Sequence, residues 1–264
     1  MFKSILAKTL YEKRWMMLAW GLGMIITAAI TMALYPSFSQ LGADEFVNSV
    51  PDSLKSLIGS VESFKSIPGY VAQQIYGPQI PIMTIVLAVV LYIGIGVGEE
   101  DRGILQTLMA QPITRTSLYL QKFYAGAVVL TIVSVTVAIG VLGGVVALGE
   151  SISIVRLLQA TIMLSLLNVA YGVVAYAIGM GTGKKALAIG VSSAYAFLSF
   201  FISSLAPSVK ALQPFEKLSV FYYYNAPQPV VAGLDWSNVL VILGFIAVLL
   251  GAGLLGFLRR DIDI

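Results

Sequence analysis

The sequence predicts an all-α polytopic membrane protein with six transmembrane helices, on three observations. Hydrophobic residues make up 58% of the chain and Asp, Glu, Lys and Arg only 11%, with a mean hydropathy of +0.89. A soluble domain is about 25% charged, so the solvent for this much apolar surface is lipid. The charges stand outside six apolar runs, each close to the ~20 residues a helix needs to cross a hydrocarbon core. The runs are too long for barrel strands and show no alternation of polar and apolar residues, and a helix satisfies its own backbone in lipid.

In chain order, residues 1–14 read as an amphipathic interfacial helix. Phe2, Ile5, Leu6 and Leu10 share one face and Ser4, Lys8, Tyr11 and Glu12 the other. Lys13 falls on the apolar side and snorkels. An ordinary basic flank that only fixes topology is the second reading. The predicted spans are residues 15–35, 80–98, 123–149, 157–183, 186–206 and 236–258. The first apolar run is too long for a signal-peptide core and lacks a small-x-small cleavage site, so no cleavable signal is expected.

Residues 36–79 and 207–235 form extracellular segments. In the first, Leu54, Leu57, Ile58 and Val61 recur at helical spacing after Pro51-Asp52-Ser53, which predicts a short outer helix. The second is rich in Pro and aromatics, with Phe215, Phe221, Tyr222, Tyr223 and Tyr224 before Trp236. It reads either as an interfacial anchor or as a pair of short re-entrant helices covered by protein neighbours.

Lys and Arg set the orientation. One side carries Lys3, Lys8, Lys13, Arg14, Arg102, Arg115, Lys122, Lys184, Lys185, Arg259 and Arg260. The other carries Lys55, Lys65, Arg156, Lys210 and Lys217. The split is 11 against 5 of the 16 basic residues, so the first side is expected to be cytoplasmic, with both termini there.

Residues 99–116 read as a short cytoplasmic helix. Glu99, Glu100 and Asp101 open it, where a helix dipole favours negative charge, and Ile104, Leu105, Leu108 and Met109 repeat at helical spacing before Pro112. It reads as a lipid-facing helix or as a docking helix for a cytoplasmic partner. The three acids could attract a metal, but a solvated helix start is the simpler reading.

Much chemistry is absent. The chain has no Cys and no His, which removes thiol chemistry, disulfides, His proton transfer and the usual zinc and copper ligands. No Asp, Glu, Lys or Arg falls within the six runs, which argues against a proton-driven carrier, although backbone carbonyls could still bind sodium. Gly183-Lys184 resembles the end of a P-loop, but Lys185 replaces Ser/Thr and Ile178 holds the first Gly position. Asn168, Tyr171 and Tyr176 are the main polar features of the fourth run. Asn168 reads as an interhelical hydrogen-bond partner, with a substrate-path role for Asn168 and Tyr171 as the alternative. Gly94/Gly98, Gly140/Gly144 and Gly179/Gly183 are GxxxG pairs suited to close helix packing.

Four stretches give the chain a resemblance to the ABC-2 type transporter permeases, the membrane subunits of ATP-driven exporters. Val50-Pro51-Asp52-Ser53-Leu54-Lys55-Ser56-Leu57-Ile58-Gly59 is similar to the family's outer segment. Glu100 to Arg115 resembles its E-x-x-G-T-L-E-x-L-L-x-x-P-[IV]-[ST]-R stretch, with Lys122 in place of a following Lys. Tyr222–Tyr224 through Gly233 resembles the approach to its last span, and Arg259-Arg260-Asp261-Ile262 its ending. Ile104 stands where Thr is usual and Gln106 where Glu is usual.

The resemblance implies two permease copies, or two related permeases, in membrane lipid with two ATP-binding cassette ATPase subunits that bind ATP and Mg. It implies no catalytic, cofactor or metal residue in this chain and no nucleic-acid partner. It also makes residues 99–116 a coupling helix, with Glu100, Arg102, Leu105, Leu108 and Arg115 transmitting motion and Lys184 and Lys185 marking a second contact. An amphipathic, lipid-like or drug-like cargo moved out across the cell membrane is the expected function. An ion-coupled carrier or channel, an intramembrane lipid-modifying enzyme and a scaffold are the alternatives.

Overall fold

The computed structural model describes residues 4–40, 66–109, 113–225 and 228–260. Among them, six helices are long and apolar enough to cross a membrane. The first span is Ile5–Ala33, followed by a short helix Tyr35–Gln40. Helix Ile67–Tyr70, a π-helical turn Val71–Ile75 and helix Gln79–Ile95 form the second span. Two short helices, Val97–Glu100 and Ile104–Met109, lead to the third span, Arg115–Ala147. The fourth is Ile154–Thr182, the fifth Lys185–Leu205 and the sixth Trp236–Arg259.

Local chemistry fixes these ends. The Thr114 hydroxyl accepts from the Ser117 amide (3.2 Å) and the Asp235 carboxylate from the Ser237 amide (2.8 Å), each satisfying a donor at a helix start. Gly183 closes the fourth span with φ +69°, a left-handed cap that glycine takes without strain.

The second, third and fourth spans form the packed centre. Tyr92 locks them together. Its ring fills the space where a side chain on Gly126 or Gly172 would sit, 2.7 and 2.2 Å from the ideal Cβ positions. The first span lies along the third. There Gly140 and Gly144 let it approach so closely that added Cβ atoms would fall 2.8 Å from Ala28 and 2.4 Å from Met32. That GxxxG pair therefore packs as its spacing predicts. The sixth span lies along the fourth.

Three elements differ from expectation. The second span begins at Ile67, inside the segment expected to be extracellular, because Ile67, Tyr70, Val71 and Ile75 are buried against the bundle. Residues 5–14 are not a separate surface helix but the beginning of the first span, which runs unbroken from Ile5. No Gly or Pro interrupts this stretch, so an amphipathic turn and an apolar turn continue on one axis. Residues 99–116 are not one helix either. Gly103 takes φ +71°, which separates Val97–Glu100 from Ile104–Met109. The outer helix expected around Leu54, Leu57, Ile58 and Val61 lies outside the described residues, as do Pro112 and Asp261.

The segment before the sixth span folds into short helices, Gln213–Glu216, Val220–Asn225 and Pro229–Ala232. Val220, Phe221, Tyr224 and Val230 are buried against the spans. The Tyr224 hydroxyl donates to the Tyr76 carbonyl (2.7 Å), and burial pushes its phenol well above the usual range, so it stays a neutral donor. This segment is held by protein contacts on its inner face, whatever its depth in lipid.

Candidate functional site

The side rich in Lys and Arg carries a compact cluster of charges at the end of the second span. The helix breaks at Gly96 (φ −95°, ψ −113°), and the next turn presents Glu99, Glu100 and Asp101. Each acid meets a cation from a different element. Glu99 pairs with Lys122 of the third span at 2.5 Å, Glu100 with Arg260 after the sixth, and Asp101 with Lys185 of the fifth at 3.3 Å. Three consecutive residues thus tie the end of the second span to three other spans.

The ties differ in character. Lys122 is fully buried and Glu99 nearly so, and the ammonium also donates to the Ile95 carbonyl (2.9 Å), a group freed by the helix break. A charge buried with its partner and a backbone acceptor is satisfied; either alone would not be. Asp101 and Lys185 are about half exposed, so their attraction is screened and weak. Glu100 and Arg260 are intermediate. Arg260 also accepts at its carbonyl from Arg115 (2.9 Å), and its guanidinium lies where a side chain on Gly183 would sit. The end of the sixth span therefore links residue 100, the start of the third span and the turn between the fourth and fifth.

Arg102 folds back along the second span. It donates through Nε to the Gly98 carbonyl (2.9 Å) and through a terminal nitrogen to that of Gly94 (3.2 Å), so a cation caps carbonyls at a broken helix end. Leu105 and Leu108 are buried in the main hydrophobic cluster of the chain. Their face is turned neither to lipid nor to an open docking surface; it roots the segment in the spans.

Below the charges lies a layer of tyrosines. Tyr92 donates to the Phe123 carbonyl (3.0 Å), Tyr176 to that of Tyr119 (2.7 Å) and Tyr119 to that of Leu250 (3.1 Å). These three hydroxyls join the second, third, fourth and sixth spans.

The structure thus brings Glu100, Arg102, Arg115 and Lys185 into one cluster, with Leu105 and Leu108 beneath it. Lys184 is exposed on the same side, directly before the fifth span. Asn168 and Tyr171 sit elsewhere. Asn168 donates to the Ser134 hydroxyl (3.3 Å) deep between the third and fourth spans. Tyr171 bonds Ser199 (2.5 Å), which bonds Ser219 (2.7 Å), linking the fourth and fifth spans to the segment before the sixth.

The cluster corrects two readings. Glu99 is not a solvated helix start, and buried charge is present within the helical bundle. Lys122 and Glu99 each stand one residue outside an apolar run, so the runs do not show that the two pair in the interior. Among the described residues no group of acids is placed to hold a metal ion.

The family described as ABC-2 family transporter protein matches residues 4–262, nearly the whole chain. A comparison with curated proteins finds no match. Match and fold agree with the sequence motifs: the chain belongs to the ABC-2 family of transporter proteins and is a multi-pass membrane permease subunit, in a family that works with ATP-binding cassette partners.

Proposed function

We propose that the chain is the permease of an exporter that moves an amphipathic, lipid-like or drug-like cargo out of the cytoplasm. ATP hydrolysis in two separate ATPase subunits drives it. The observation that carries this reading is the triple set of ion pairs at Glu99, Glu100 and Asp101. A segment pushed by a partner moves the spans only if it is tied to them, and this one is tied to the third, fifth and sixth.

In this reading the basic side is cytoplasmic, both termini lie there, and the protein sits in the cell membrane beside a second permease, identical or related. ATP and Mg bind in the ATPases. Closure of the ATPases pushes residues 99–115. Glu100, Arg102, Leu105, Leu108 and Arg115 pass the motion to the spans, and Lys184 and Lys185 form the second, shorter contact. The buried Glu99–Lys122 pair means that this assignment of the energy source rests on the family and no longer on an absence of buried charge.

The test is reconstitution. The chain alone in liposomes is expected to hydrolyse no ATP, and the chain with its co-purified ATPase is expected to hydrolyse ATP and move cargo. Charge reversal at Arg102, or polar substitution of Leu105 and Leu108, is expected to cut transport while membrane insertion is unchanged. ATP hydrolysis by the chain alone would overturn the reading, and transport driven by an ion gradient without ATP would replace it with an ion-coupled carrier.

A further inference from the structure

Between the second and fifth spans runs a groove of about 900 Å³, within the size range of small-molecule sites. Its walls are apolar, from Ile82 to Ile93 on the second span and from Ile189 to Phe201 on the fifth. Ile82 to Ile95 covers about 20 Å of helix, more than one ~15 Å leaflet of hydrocarbon. Charge occurs at one end only, where Arg102 and Lys185 line it.

These two cations are not equivalent. Lys185 is paired with Asp101, whereas among the described residues no carboxylate pairs with Arg102, which is held over the groove mouth by carbonyls of the second span. At the far end the rings of Phe197, Phe200, Phe201 and Phe221 pack 4.4 to 5.7 Å apart. Beyond them lies a second cavity of about 510 Å³, which shares three of these phenylalanines and is lined by Gln73, Ser203, Glu216 and Asn225. The path is thus positive at one mouth, apolar through its length, closed by aromatic rings and polar with an acid beyond.

We propose that this groove binds an anionic phospholipid of the surrounding membrane, its phosphate on Arg102 and one acyl chain along the groove as far as the phenylalanines. Charge complementarity selects this occupant. Every phospholipid offers a phosphate, but a zwitterionic headgroup brings its own cation to compete for it, whereas a headgroup of net negative charge leaves it to the cation held at the mouth. The groove lining holds no acid that would receive Arg102 of a second copy of the chain. As a statement of cargo class this rests on the exporter reading; as a binding site it does not.

The experiment uses the full chain alone, in detergent, with equimolar phosphatidylglycerol and phosphatidylcholine of identical acyl chains, and native mass spectrometry to count retained lipid. Phosphatidylglycerol is expected to be preferred. Arg102→Ala is expected to lower that preference about fivefold, the worth of one basic side chain at a lipid headgroup, while Arg102→Lys keeps most of it. Val86→Trp and Val90→Trp, at exposed groove positions, are expected to abolish retention without altering the elution volume of the protein. An unchanged preference in Arg102→Ala, equal retention of both lipids, or retention unaffected by either tryptophan overturns the proposal. The unsubstituted chain with its ATPase partner separates the two ideas: lipid preference without ATP-driven transport keeps the site and removes the exporter reading, and transport without lipid preference does the reverse.

Discussion

The buried pair of Glu99 and Lys122 yields the sharpest prediction. The ammonium lies 2.5 Å from a Glu99 oxygen and 2.9 Å from the Ile95 carbonyl, with both side chains out of solvent. For charge centres ~3 Å apart and an effective dielectric constant of ~20, the attraction is about 5 kcal/mol. Desolvating the two ions costs several kcal/mol each, so the intact pair adds little net stability. Removing one partner is different. Glu99→Gln or Lys122→Met leaves a buried, unpaired charge and is expected to cost about 3–5 kcal/mol. The double variant removes both charges and is expected to recover much of that loss, with the amide introduced at residue 99 and the Ile95 carbonyl as the remaining buried polar groups. Denaturant unfolding of the detergent-solubilised chain, followed by fluorescence of its three Trp residues, completes the double-mutant cycle. Single variants within about 1 kcal/mol of the parent, or a double variant as costly as the sum of the singles, would refute the coupling.

Three further outcomes are expected. Gly144→Val drives a side chain into Met32 and is expected to lose about 1–3 kcal/mol in the same unfolding assay, whereas Gly143→Ala, which meets open space, is expected to be neutral. Asn168→Ala and Tyr171→Phe are each expected to cost about 1 kcal/mol or less and to leave transport unchanged, as interhelical hydrogen-bond partners do; a folded variant with lost transport would make either a cargo contact. The chain has no Cys, so Asp101→Cys with Lys185→Cys gives a single cross-linkable pair. Bridging it is expected to stop ATP-driven transport reversibly, and full transport in the bridged state would show that these two residues need not separate.

The spans were legible because exclusion of charge is a local property that each run carries within itself. The spans observed end within a few residues of the runs, apart from the start of the second, which lies at Ile67, and the basic ends of the first and third. Those two helices continue to Ile5 and Arg115, where the Gln121 side chain accepts from the Ile5 amide (3.0 Å). Periodicity reports an amphipathic turn but not whether it is collinear with the next. Glycine contacts were half legible. The pair Gly140/Gly144 carries the small-xxx-small spacing, but Gly126 and Gly172 have no glycine four residues away and matter because Tyr92 lies between them. Least legible was the charge cluster. Glu99 and Lys122 are 23 residues apart on different helices, and Glu100 and Arg260 are 160 apart. Their local sequence reads as two solvated helix flanks; only the fold turns one flank toward the other.

The strengths of these links decide which parts of the bundle separate most readily. The second, third and fourth spans share the buried ion pair, the ring of Tyr92 and the tyrosine-to-carbonyl bonds, and moving one against another would open cavities at about 20 cal/mol for each Å² exposed. The fifth span is the least buried of the six. On the basic side its tie to the second is the exposed Asp101–Lys185 pair, worth about 0–1 kcal/mol. Its firmer bonds, through Tyr171, Ser199 and Ser219, lie toward the other side. In the proposed mechanism, a push on residues 99–101 meets a tightly linked three-helix body and one helix held at the near end by an exposed ion pair and the packing of Ala188, and at the far end by buried hydrogen bonds. That difference in stiffness falls along the groove walls, so under the proposed mechanism the groove is expected to open first at the mouth where Arg102 stands and last at the phenylalanines.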